Sequence, residues 1–189
     1  MELKDSRIIG FIIPPTTSTK GELEEDINEL AELSKSFVDN WSRKNEKEAL
    51  IVSQKALKLL ENIINKILRL RDDYRENNHP NERNLNKALK ASVGQLYEGV
   101  KKKDKDSFTE SKPGESILPS GFGPKVLTLE KALNKLKHRN VESMNFLISE
   151  PSGHQLVVFT HKAMGQPDAI SVITIEDFCN ACKVAAKAI

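Results

Sequence analysis

Between residues 46 and 77 apolar side chains return every three or four positions: Ala49, Val52, Ala56, Leu59, Ile63, Ile67, Leu70 and Tyr74. That spacing places them on one face of an α-helix. A second stripe of Leu50, Leu57, Leu60, Ile64 and Leu68 runs beside the first. Together the stripes are wider than a two-stranded seam, so the helix is expected to touch two neighbours at once. Neither Gly nor Pro interrupts the pattern, and about thirty residues at 1.5 Å each make a rod of roughly 45 Å.

The flanking segments echo the same period. Thr19 and Glu22 have capping-box spacing, and Leu23, Ile27, Leu30, Phe37 and Trp41 follow on one face, which predicts a first helix from about residue 19. A polar break at residues 42–45 is short enough to make the first two helices antiparallel neighbours; because it contains neither Gly nor Pro, one continuous helix through Asn45 is the alternative. Asn77, Asn78, His79, Pro80 and Asn81 form the next break, because proline disfavours α conformation at the residue before it and suits the first turn of a new helix. Leu85, Ala88, Leu89, Val93, Leu96 and Val100 then predict a third helix, which Gly94 and Gly99 weaken toward its end. Ahead of the helices, residues 8–13 are β-branched and aromatic and end at Pro14-Pro15; they read as a short edge strand or a docked arm that needs cover.

After residue 101 the pattern changes. Residues 101–125 are rich in Lys, Asp, Ser, Gly and Pro and have no sustained apolar period, so they read as a linker, with Phe108, Ile117, Leu118 and Phe122 as possible docking points. Thr128 then caps a helix carrying Leu129, Ala132, Leu133 and Leu136. Residues 141–161 read as a β-hairpin about a Glu150-Pro151-Ser152-Gly153 turn, residues 169–173 as a third strand, and Thr174 with Asp177 as the start of a last helix. The expected fold class is α+β: a helical bundle or coiled coil, a flexible linker, and a small C-terminal α-β-β-β-α unit. The expected divisions are an arm at 1–20, a helical oligomerisation region at 21–101, a linker at 102–125 and an interaction domain at 126–189.

Composition alters this picture little. Charged residues are 30% of the chain and aromatics 5%, which suits surface-rich helices better than a deep aromatic core. The net charge of +2 is too mild to imply nucleic acid by itself. The apolar run at residues 8–13 is too short for a signal peptide or a bilayer span. With two cysteines, Cys179 and Cys182, and no secretory leader, the expected setting is a reducing cytoplasm, without a membrane.

Candidate chemistry is sparse. His154, His161, Cys179 and Cys182 are the residues that would suggest zinc, but the histidines are seven apart on a strand and the cysteines share a helix face; buried structural thiols are the better reading, and no metal or cofactor is expected. The hairpin with Asn145, Thr160 and Lys162 resembles the strand pair of metal-dependent nucleases, yet both acidic positions of that pattern are missing. Lys101, Lys102, Lys103 and Lys105 form a basic run diluted by Asp104, Asp106 and Glu110, which reads as a solvated surface.

The functional expectation is therefore a non-enzymatic adaptor that self-associates through Ala56, Leu59, Leu60, Ile63, Ile64, Ile67 and Leu70 and binds a protein partner through its C-terminal unit. In layout alone this is similar to the phosphoproteins that serve viral polymerases. The alternative is a nucleic-acid-binding or processing protein that uses the basic run and the C-terminal sheet.

Overall fold

The computed structural model describes residues 19–139, 143–150, 153–161 and 167–188; the expected strand or arm at residues 8–13 lies outside them. Helix α1 (Thr19–Ser42) and helix α2 (Glu46–Glu76) form an antiparallel hairpin. Lys44 turns the corner at φ 58°, in the small left-handed region available to ordinary residues. Asp26 fixes the register by accepting from Lys66 at 2.9 Å and from Asn62 at 2.7 Å. Leu23, Ile27 and Leu30 of α1 share one core with Leu60, Ile63, Ile64 and Ile67 of α2, and each such side chain contributes roughly 1.5–3 kcal/mol when buried.

The remaining elements are α3 (Glu82–Ala88), β1 (Ser92–Glu98), α4 (Lys102–Glu110), β2 (Lys125–Thr128), α5 (Leu129–Lys137), β3 (Met144–Ser149), β4 (Gly153–Thr160), β5 (Ala169–Thr174) and α6 (Ile175–Lys187). The strands make one antiparallel sheet in the order β2-β1-β5-β4-β3. The fold class is α+β, with the helical hairpin at the N-terminal end and a helix closing the chain after the last strand. Thr128 caps α5, its hydroxyl accepting from the Lys131 N–H at 3.5 Å. One face of the sheet carries α5, α6 and the helical hairpin over Leu96, Val158 and Ile173. The opposite face holds Tyr97, Val157, Phe159, Ile170 and Val172.

Two segments differ from the sequence expectation. The third helix stops at Ala88, and Val93 and Leu96 lie on strand β1. The reason is a β-bulge: the register with β2 shifts between Ser92 and Gly94, so Val93 and Leu96, three apart as on a helix, both enter the main core. Tyr97 faces the other core, and a strand buried on both faces loses the clean alternation that identifies strands. Within residues 102–125 the chain forms α4 and starts β2. The Asp104 carboxylate accepts from the Lys101 N–H at 3.1 Å, Phe108 is buried near Phe159, and Leu118 and Phe122 pack on the same face. Residues placed above in separate regions, 21–101 and 126–189, thus contribute to one sheet and one continuous core.

Gly94 is the tightest point of the sheet. A Cβ there would lie 1.9 Å from the Val172 carbonyl oxygen, and the residue has φ 154°. Gly94→Ala is expected to destabilise the protein by about 2–4 kcal/mol, because both the backbone conformation and the β1–β5 spacing must change. Urea unfolding monitored by circular dichroism reads this directly; a loss below the roughly 0.5 kcal/mol typical of surface substitutions would show that the sheet absorbs the methyl group.

Candidate functional site

Where the α1–α2 hairpin passes over β3 and β4, the layers leave an open cavity of about 260 Å³. Its helical walls are Leu30, Leu33, Ala56, Leu57 and Leu60, and its sheet wall is Met144, Phe146 and Leu156. Small residues at the facing positions, Ser34 on α1 with Ser53 and Ala56 on α2, keep the helices from filling the gap. Among the described residues no Asp, Glu, Lys or Arg lines it.

Rings form one end of the cavity. Phe37 stacks on His154 at 4.9 Å and meets the edge of Phe146 at 4.9 Å. Trp41 stands perpendicular to Phe146 at 4.8 Å. Such contacts are worth about 0.5–1.5 kcal/mol beyond the area they bury and give the wall a fixed shape. Residues 111–115 back this wall: Gly114, at φ +80°, packs so closely that an added Cβ would lie 3.2 Å from the Phe146 ring. Asn145 ties the segment down, its Oδ1 accepting from the Gly114 N–H and its Nδ2 donating to Ser111 Oγ and the Lys112 carbonyl.

His154 is the titratable group of the site. Its Nδ1 lies 2.8 Å from Ser34 Oγ, and burial lowers its pKa to about 4, so the imidazole is neutral at neutral pH. The pair does not make an activated nucleophile. An imidazole with that pKa is a weak base, and Ser34 sits mid-helix, where the surrounding backbone N–H groups are engaged in the helix and offer no oxyanion donors. A serine and a neutral histidine in an apolar wall instead supply one hydrogen-bonding point for an uncharged group. On its other side His154 borders a polar cleft of about 610 Å³ between α1 and α6, flanked by Glu32, Lys35, Asp39, Glu176 and Lys183.

The residues singled out from the sequence are dispersed. His161 lies exposed against the edge of Phe159. Cys179 and Cys182 are free, buried thiols on α6; burial raises the first to about 11 and the second well above its ordinary value, so both stay protonated. Among the described residues no three His, Cys, Asp or Glu side chains group as metal ligands. Thr160 lies near the Ala169 carbonyl and Asn145 holds the 111–115 segment, while Lys162 lies outside the described residues. Of the expected self-association residues, Leu60, Ile63, Ile64 and Ile67 are buried in this chain's own core, and Ala56, Leu59 and Leu70 pack partly buried against it. Among the described residues no helix is long and apolar enough to cross a membrane. Sequence reasoning missed Ser34, Phe37 and Phe146 as partners of His154; the available signal was the aromatic pair Phe37 and Trp41, one turn apart on α1. In comparison with known proteins, the chain matches no family model, no curated protein and no solved structure.

The depressed pKa of His154 sets a pH dependence. The ordinary value is 6.5 and the folded value about 4, so between them the unfolded chain binds more protons. Its contribution is complete above pH 6.5 and is lost as pH falls toward 4, a difference of roughly 3 kcal/mol. Denaturant titrations from pH 7 to 4 on wild type and His154→Gln are expected to give stability curves whose difference slopes across that window. A flat difference would mean that the folded protein accommodates the imidazolium.

Proposed function

We propose that the protein is a non-enzymatic interaction protein whose cavity between the helical hairpin and β3–β4 receives an apolar side chain of a protein partner. The observation that carries this reading is an open cavity with no charged lining among the described residues, beside an exposed leucine. Leu50, Ser53 and Leu57 share one face of α2; the last two line the cavity, and Leu50 beyond them is 61% exposed. A single exposed leucine is ordinary, but one that extends the mouth of a ring-walled cavity supplies contact area around a central anchor. At about 260 Å³ the cavity is smaller than the roughly 300–1,000 Å³ of ordinary small-molecule sites, which suits an anchoring side chain. We place the protein in the cytoplasm, a setting supported by its two free thiols. Self-association through the α2 stripe would compete with the chain's own core. With residues 102–125 folded onto the sheet, the layout likeness to polymerase-serving phosphoproteins adds no support.

A second reading, contact with nucleic acid, has one observation in its favour: Lys125, Lys131 and Lys135 lie near the Glu98 carboxylate and hold its pKa below the usual value, the Lys125 hydrogen bond foremost. Phosphate contacts there would weaken steeply with salt. Retention of the protein on an RNA or DNA column, with elution shifted to lower salt by replacing all three lysines with Gln, would favour that reading; no retention at 50 mM salt would end it.

The docking reading is tested by placing a photo-crosslinking phenylalanine at position 50, with position 187 as an exposed control, in a native extract. The expected result is a discrete protein adduct from position 50 that Leu57→Glu abolishes. No protein adduct at position 50, or the same adducts from both positions, would overturn it.

A further inference from the structure

We propose that the side chain this cavity takes from its partner is a tryptophan, with the indole ring seated against Phe37 and Phe146 and its N–H donating to Ser34 Oγ. This rests on the reading of the cavity as a docking site and names the occupant. Trp, Tyr and Arg are the side chains that most often anchor protein interfaces, and among the described residues the lining has no carboxylate with which an arginine could pair. Rings close one end, Phe37 meeting the edge of Phe146 at 4.9 Å, an arrangement that a further ring extends and an aliphatic chain does not. A cavity of about 260 Å³ is filled better by a bicyclic ring than by a single one, and lining atoms that face a void lose their dispersion contacts.

The polar groups of the wall select the N–H. Asn145 is fully engaged, its Oδ1 accepting from the Gly114 and Phe146 N–H groups and its Nδ2 donating to Ser111 Oγ and the Lys112 carbonyl. Ser53 is exposed, so water satisfies its hydroxyl. Ser34 is half-buried, and among the described residues its hydroxyl has one partner, His154 Nδ1 at 2.8 Å. A hydroxyl carries one hydrogen and two lone pairs. Where it donates to Nδ1, both lone pairs are spare; where Nδ1–H donates to it, one is. In either tautomer Ser34 Oγ therefore keeps an acceptor, and an anchor of hydrocarbon alone, once it excludes water, would leave that acceptor unpaired at a cost. An indole N–H is a donor only and meets it in both cases. Leu50, 61% exposed and two turns before Leu57 on the same face of α2, offers apolar area to the residues that flank an anchoring side chain, which a free indole compound lacks.

The test uses the full chain and small probes: indole, indene (the same bicycle without the N–H), p-cresol for a tyrosine side chain, and N-acetyl-tryptophanamide, with affinities read from backbone amide chemical shifts. Indene leaves water for oil more readily than indole, so an indole affinity equal to or above indene's in wild type is the expected sign that the N–H finds an acceptor; this comparison needs no variant. Ser34→Ala combined with His154→Phe removes the acceptor and the nitrogen that would replace it, and keeps a ring on Phe37. The ratio of indole to indene affinity is expected to fall about three- to tenfold in that double variant and to stay unchanged in His154→Phe alone, while Leu57→Glu should remove the binding of both probes. N-acetyl-tryptophanamide is expected to bind at least as tightly as indole. Indene as the tighter ligand of wild type, a ratio unchanged in the folded double variant, or a fall already complete in His154→Phe would each overturn the bond to Ser34 and leave the docking reading standing. Tighter binding of p-cresol than of indole would assign the anchor to tyrosine, and much weaker binding of N-acetyl-tryptophanamide would assign the cavity to a free indole; either overturns the tryptophan side chain. Absence of Leu57-sensitive binding of every probe would overturn it as well, and the docking reading would then be decided by the crosslink at position 50.

Discussion

The pairing of β1 with β5 is the constraint on which the rest of the structure depends. Gly94 lets the two backbones come close enough for the ladder that runs from Gly94 and Ile173 to Glu98 and Ala169. Around it, Leu96 and Ile173 enter one core while Tyr97, Ile170 and Val172 enter the other. Strand β2 reaches the sheet through β1, and β3 and β4 reach it through β5, so this ladder joins the two halves of the sheet. The cavity depends on it at one remove, because β5 holds β4, β4 holds β3, and their side chains form one wall under the helical hairpin.

The helices that could be read from the sequence have one apolar face and one solvated face: the stripes of α1 and α2, the capped α5 and α6 carry a period that local chemistry explains. Strands β4 and β5 are buried on both faces and were legible instead as short apolar runs bounded by turn residues. The parts that could not be read are fixed by distant partners. Strand β1 has both faces buried and a bulge that imitates helical spacing. Helix α4 has a single buried anchor, Phe108, in an otherwise polar run, and it is ordered by the sheet face it covers. The wide face of α2 suggested a second copy because periodicity shows how much surface must be covered without showing by what; α1, and α5 from the far side of the sequence, supply much of that cover. The cavity was invisible for the same reason, since Ser34 and His154 are 120 residues apart and meet only when the hairpins cross.

Helix α1 separates two environments with different chemistry. On one side is the ring-walled cavity without charged lining among the described residues; on the other, carboxylates and ammonium groups from α1 and α6 face a water-accessible cleft. His154 borders both. An imidazole suits that position, with an apolar ring face for Phe37 and a nitrogen for Ser34, whereas a permanently charged side chain there would require a partner that the apolar side does not provide.

The strand order also sets a timetable. During synthesis the α1–α2 hairpin, made of local contacts, is complete long before the sheet, whose central ladder must wait for Ile173 to meet Gly94 roughly eighty residues later. At about 5–20 residues per second that interval lasts roughly 4–16 s. Throughout it β1 lacks the strand that covers one of its edges, and Val93, Leu96 and Tyr97 lack much of the cores they will join. Non-local pairing of this kind makes folding slow and leaves an incompletely paired chain open to aggregation, so the interval before β5 meets β1 is the one in which these side chains most need cover.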